Sequence, residues 1–186
     1  MAIKLFERVE SGKGLFAVET ISLIYNALTS FLILLLYARM DHPGTMLLER
    51  AGIVALTFTL IYLYQAFPCR LTAFIRMVVQ MSLLAYWYPD TFEFNRLFPN
   101  LDHIFASNEQ AMFGCQPSVE FSKHCPSIWF SEPFNMGYFF YYPMMLIVVV
   151  YYFVKRFEWF EKICFVLVTS FFIYYFIYIM LPVAGP

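Results

Sequence analysis

The amino-acid sequence predicts an all-α, polytopic membrane protein: a bundle of about five transmembrane helices in a single integral membrane domain covering residues 1–186. Three observations predict it. Hydrophobic residues make up 61% of the chain and charged residues only 13%, against about 45–50% and about 25% in an ordinary soluble domain. The mean hydropathy is +0.65, and a soluble globule of this length has no interior large enough for so much apolar surface, so the surplus faces lipid. Aromatic residues reach 22%, as expected where Tyr and Trp set a polar tip in the headgroup layer and a ring in the acyl chains.

About 20 helical residues cross the roughly 30 Å hydrocarbon layer, and five apolar runs approach that length. The first, 16–37, ends at Arg39 and Asp41 and carries Glu19 and Asn26, so one of its faces is expected to meet protein. The basic stretch before it leads into an apolar segment longer than a signal-peptide core, with no small-residue cleavage site, so this run is expected to remain as the first span. The second, 51–67, is closed by Pro68; the third, 71–88, has Arg76 near its start and Tyr86, Trp87 and Tyr88 as an interfacial belt, with Pro89 expected to end it. A polar loop, 89–133, follows. It contains Pro89, Pro99, Pro117, Pro126 and Pro133, and short amphipathic helices lying on the membrane are expected in it, for example around Leu101 to Met112. The fourth run, 134–153, holds Pro143 as an expected kink, and the fifth is 163–181.

Charge bias orients these spans. Lys4, Arg8 and Lys13 precede the first, Arg70 and Arg76 flank the second turn, and Lys155, Arg156 and Lys162 lie between the fourth and fifth. The positive-inside rule puts all three groups in the cytoplasm. The loop 89–133, with Asp90, Glu93, Asp102, Glu109, Glu120 and Glu132 against Arg96 and Lys123, then falls outside, as does Pro186. A net charge of -1 without a basic stripe excludes a general nucleic-acid partner. Cys115 and Cys125 share the outer loop and are candidates for a disulfide, worth about 2–3 kcal/mol for a loop of that size. Cys69 and Cys164 fall at cytoplasmic ends and are expected to be free thiols.

Few residues offer chemistry. His42, His103 and His124 all lie outside the runs. His124 adjoins Cys125, but neighbouring side chains do not aim at one another as a nucleophile and its base must. His103, Cys115, His124 and Cys125 have the right donor types for zinc but no recognised spacing, so no metal and no cofactor is expected. Asp102 beside His103 reads as a polar pair at the start of a surface helix. Glu19, Asn26, Gln65, Gln80 and Asn135 are the polar residues inside the runs, and they form no row that would predict a transport path. Tyr138, Tyr141 and Tyr142 open the fourth run, and Tyr174, Tyr175 and Tyr178 sit in the outer half of the fifth. Two readings of these tyrosines stand: an aromatic belt, or a polar-lined notch at a lipid headgroup.

Several short motifs occur in a suggestive order: Phe113-Gly-Cys-Gln-Pro-Ser118, Trp129-Phe-Ser-Glu132, Tyr138-Phe-Phe-Tyr-Tyr-Pro143, Tyr174-Tyr-Phe-Ile-Tyr178 and Leu181-Pro-Val-Ala-Gly-Pro186. Over about residues 85–186 the chain resembles the N-terminal half of the type 2 phosphatidic acid phosphatase superfamily. Its bacterial, inositol phosphorylceramide synthase-like (inositolphosphotransferase) branch is the most similar. The resemblance implies a bacterial inner membrane, a six-helix bundle with its site at the outer face, and a lipid phosphate attacked by a histidine, with water or an alcohol taking the phosphoryl group.

That family carries its chemistry in three blocks, K-x-x-x-x-x-x-R-P, P-S-G-H and S-R-x-x-x-x-x-H-x-x-x-D, and this chain contains none of them. Pro117-Ser118 and Pro126-Ser127 are followed by Val-Glu and Ile-Trp, and no histidine follows His124. The expectation is therefore of a chain that stops ahead of the catalytic histidines and supplies no catalytic residue. The substrate-cleft candidates are Tyr138, Tyr142, Tyr174, Tyr178, Pro182, Gly185 and Pro186. Expected partners are membrane lipids, including a lipid phosphate. The alternative is a non-enzymatic scaffold or lipid-binding subunit with a membrane-protein partner.

Overall fold

Residues 5–9, 14–124 and 127–183 are described by a computed structural model, and their regular elements are helices. Helix α1 is Ala17–Leu35; the Phe16 N–H donates to the Glu19 carboxylate at 2.9 Å and caps it. A 3-10 turn, Tyr37–Arg39, leads to α2, Pro43–Ala66, with proline at the first helical position, where no N–H is needed. Helix α2 thus begins well before the expected residue 51. Glu49 and Arg50, which look like loop charges, are helical, and Arg50 is buried. The helix stops before Phe67-Pro68, as the restriction on the residue preceding a proline requires.

The expected third run is two helices, α3, Arg70–Ser82, and α4, Leu84–Asn95, interrupted at Leu83. Pro89 does not end α4. It withdraws the N–H that would bond the Ala85 carbonyl, while burial of Trp87, Asp90, Thr91 and Phe94 on one face keeps the chain helical past it. The loop holds α5, Asp102–Phe113, ended by Gly114 at φ 69°, and α6, Pro117–His124. Helix α7, Ile128–Lys155, starts ahead of the expected 134 and contains both Pro133 and Pro143; α8 is Phe157–Met180. Among the described residues, α1, α2, α7 and α8 are the four helices long and apolar enough to cross a membrane.

Helix α8 is the hub, packing against α1, α3, α4 and α7, while α2 packs on α1 and α3. At its middle Tyr25 stacks on Phe172 (centroids 4.3 Å apart) and meets the edge of Trp87 at 5.2 Å. One end of the bundle, the near end, gathers the start of α1, the α2–α3 turn and the α7–α8 corner. There the Ala17 N–H donates to Glu161 at 3.2 Å, and Arg70 lies over the Phe157 ring at 4.9 Å. Residues 5–9 strap the same end: Val9 N–H donates to the Pro68 carbonyl (3.2 Å) and Arg70 N–H to that of Glu7 (3.1 Å). The far end gathers Ile33, Met46, Phe94 and Ile179, and the Leu101 N–H reaches the Pro182 carbonyl at 2.9 Å.

Two buried ion pairs tie these helices together. At the near end Arg76 of α3 makes a two-pronged contact with Glu19 of α1, Nε to Oε1 at 2.7 Å, and also reaches the Gly14 carbonyl at 3.1 Å. Its guanidinium sits over Phe16 and Tyr64, 4.0 and 4.8 Å from the ring centres. Toward the far end Arg50 of α2 bonds Asp90 of α4 at 2.6 Å and lies 5.4 Å from the Trp87 ring centre. Between the pairs Asn26 donates to the Arg50 carbonyl (3.1 Å) and Gln80 to Thr57 (3.1 Å).

Breaking one partner of a buried pair costs about 3–5 kcal/mol, because the survivor stays buried and uncompensated. Glu19→Ala and Arg76→Ala are each expected to lower stability by that amount in chemical unfolding from mixed micelles. The double variant should lose clearly less than the sum; additive losses would show that the two side chains are not coupled.

Candidate lipid-binding site

The bundle is not filled evenly around α8. Helices α4 and α7 both lie on α8 without closing on each other, and a cavity of about 670 Å³ opens between them. From α8 it is lined by Phe171, Tyr174, Tyr175 and Tyr178, spaced so that one helical face presents them. Helix α7 runs antiparallel beside it and contributes Tyr138, Tyr141 and Met145. The α3–α4 segment closes the third side with Met81, Ser82, Leu84, Ala85 and Tyr88.

The interruption at Leu83 is part of this wall. The Tyr175 hydroxyl, buried, donates to the Leu84 carbonyl at 3.1 Å, and Tyr88 lies 6.1 Å from Tyr175 between ring centres. Ala85, one turn ahead of Pro89, lines the same space. Irregular helix is tolerated at membrane depth where it is buried in protein or borders a cavity. The wall is graded. Tyr138 and Tyr178 stand toward the far end, while Met81, Met145 and Phe171 form the deeper part, with Phe171 6.1 Å from Tyr141. Among the described residues no charged side chain and no histidine lines it.

Of the residues singled out from the sequence, Tyr138, Tyr174 and Tyr178 come together in this cavity. Pro182 is buried at the far end and accepts the bond from Leu101, outside the cavity lining. Gly185, Pro186, Cys125 and the side chain of Tyr142 lie outside the described residues, and with Cys125 so does the Cys115–Cys125 pairing. Ser82, Ala85 and Tyr88 were not singled out for the cleft. Tyr88 carried a signal in the run Tyr86-Trp87-Tyr88, whereas nothing in the sequence marks Ser82 or Ala85.

A second hollow, about 490 Å³, lies on the opposite face of α4 and is lined by Asp41, His42, Glu49, Asp90, Glu93 and Arg96 among others. Its carboxylates are paired: Asp41 and Glu93 with Arg96, Asp90 with Arg50, and Glu49 with the Tyr86 hydroxyl at 2.7 Å. The histidines stand apart, His42 before α2, His103 on α5, and His124 on α6 with Nδ1 2.9 Å from the Glu120 carbonyl. Among the described residues no group of His, Cys, Asp and Glu could hold a metal ion. Asp90, expected in the outer loop, and Arg50, just ahead of the expected second run, are both internal. Together with Glu19, Arg76, Asn26 and Gln80 they bond one helix to the next.

Comparison of the chain with protein-family models, curated protein sequences and solved structures finds no match.

Cys69 and Cys164 are free thiols, Cys164 buried in α8 and Cys69 half-buried ahead of α3. Burial pushes the Cys69 thiol up, but Thr72, with Oγ1 3.5 Å from Sγ, and the backbone N–H groups opening α3 outweigh it and hold the thiol below its ordinary range. The alkylation rate of Cys69 should therefore reach half its plateau at a lower pH than that of a free cysteine. Thr72→Val should move the midpoint upward; a midpoint unchanged in that variant would show that Thr72 does not stabilise the thiolate.

Proposed function

We propose that the chain is the lipid-binding part of a membrane lipid-phosphate phosphatase or phosphotransferase of the kind its sequence resembles. In this reading it crosses the bilayer five times with its N-terminus in the cytoplasm. The tyrosine-lined cleft carries the proposal: a neutral, graded hollow in a bundle of apolar helices, of a volume within the range of about 300–1,000 Å³ usual for ligand sites. The chain's own histidines are remote from it, so the proposal assigns binding to these residues and no catalytic step.

The fifth crossing is supported by the ion pairs. Arg76 of α3 meets the start of α1, and Asp90 of α4 meets Arg50 close to the start of α2, so α3 and α4 run together from the near end toward the far end. Laid end to end at about 1.5 Å per residue they cover about 39 Å, enough for a bilayer core. The exposed cations Arg8, Lys155, Arg156 and Lys162 all belong to near-end segments, which fits a cytoplasmic near end. The cleft's tyrosines then approach the outer interface.

A phospholipid with a photoactivatable group on its acyl chain, irradiated in vesicles containing the protein, is expected to attach around Ala85, Met145 and Phe171. Attachment spread evenly over α1 and α2 instead would remove the cleft as a lipid site. Orientation has its own test. In intact cells a membrane-impermeant thiol reagent should reach Cys115 or Cys125 after reduction and leave Cys69 unmodified; modification of Cys69 would invert the topology.

A further inference from the structure

The cleft's lining carries a more specific message than its being apolar. Among the described residues none of its lining side chains is charged, and the polar side chains that line it are tyrosines and Ser82. The cations that α4 touches, Arg50 and Arg96, belong to its other face and already hold Asp90, Asp41 and Glu93. A phosphate drawn into the cleft would give up its hydration with no countercharge to meet it, which is the costliest arrangement for an ion away from water. Neutral hydroxyl, ester or amide groups lose little there, because phenols both donate and accept.

Size points the same way. Between Tyr178 at the mouth and Phe171 at depth the wall of α8 extends about 10 Å at roughly 1.5 Å per residue, shorter than one leaflet's share of a roughly 30 Å core. A hollow of about 670 Å³ and that depth suits a single chain with the segment at its head. A second chain would remain in the surrounding lipid.

Resting on the reading of the cleft as a lipid site, we infer that it recognises one acyl chain together with the uncharged hydroxyl-, ester- or amide-bearing segment at its head, and leaves any phosphate outside the tyrosine rim. Selection is then by chain length and by the neutral segment, and is indifferent to headgroup charge and to a second chain. Met81, Met145 and Phe171 set the depth limit, and Ala85, the smallest side chain on the α4 wall, leaves the room through which a longer chain reaches them.

The test is competition against the photoactivatable lipid in vesicles of the full chain. The competitors are monooleoylglycerol, the lysophosphatidic acid with the same chain, and dioleoyl phosphatidic acid. All three are expected to displace the label at concentrations within about threefold of one another. Ala85→Trp is expected to weaken the oleoyl competitors by about tenfold or more while leaving octanoylglycerol within about threefold of its wild-type value. Circular dichroism and unfolding of that variant should match the unsubstituted protein. Displacement more than about tenfold better by the phosphate-bearing single-chain lipid would show that charge is recognised and overturn the inference. The same advantage for the two-chain lipid alone would overturn the single-chain limit. If no competitor displaces the label, or Ala85→Trp weakens both chain lengths equally, the cleft is not the site and the functional reading falls with the inference.

Discussion

A guanidinium inside a helical bundle that faces lipid must find an anion, because neither water nor hydrocarbon is there to stabilise it. Arg76 and Arg50 impose that demand on this chain twice. Arg76 meets it with Glu19 and with the faces of Phe16 and Tyr64; Arg50 meets it with Asp90 and the edge of the α1 polar stripe. Each pair joins helices distant in sequence, so the pairs specify which helix faces meet and at what height. Apolar packing alone would leave α1, α2 and the α3–α4 segment free to slide, since one ring of Leu and Phe against lipid is much like another. A buried pair adds little net stability over a well-packed apolar replacement, and its contribution here is register.

That register reaches the cleft through α4. With Asp90 held by Arg50 and Trp87 and Phe94 buried on the same side, the opposite side of α4 is turned toward α8 and presents Ala85 and Tyr88 to the cavity. Pro89 costs the helix one hydrogen bond and borders the charged hollow, and irregular backbone is tolerated beside a cavity. The interruption at Leu83 and the bond from Tyr175 to Leu84 complete the wall that holds Ala85 and Tyr88. One helix therefore separates a charged, fully paired hollow from a neutral, tyrosine-rich one.

The separation bears on chemistry. Groups that could hold a phosphate or move a proton are gathered on the far-end side of α4, where every carboxylate has a partner, and the histidines occupy α5, α6 and the turn before α2. The neutral cleft offers shape, depth and hydrogen bonds.

The all-helical architecture, with helices long and apolar enough to cross a membrane, was legible in the sequence, because a long apolar run must bond every backbone group within its own segment to suit a bilayer. The grouping of Tyr138, Tyr174 and Tyr178 was legible too, as clusters near matching ends of two antiparallel runs. Element limits were not. Arg50 and Asp90 read as loop charges because a lone ion in an apolar run is normally excluded from it, and only the partner, supplied by a helix distant in sequence, makes it admissible. For the same reason Pro89 read as a helix end, although tertiary burial of Trp87 and Phe94 carries the helix through it. Ser82 and Ala85 carry no signal of their own; their place in the cleft follows from where α4 is held. The sequence by itself determined that this chain forms helices long and apolar enough to cross a membrane, and where its tyrosines gather. The tertiary structure alone decided which charges are internal and which face of α4 meets the cavity, since both depend on pairings between segments that no local pattern encodes.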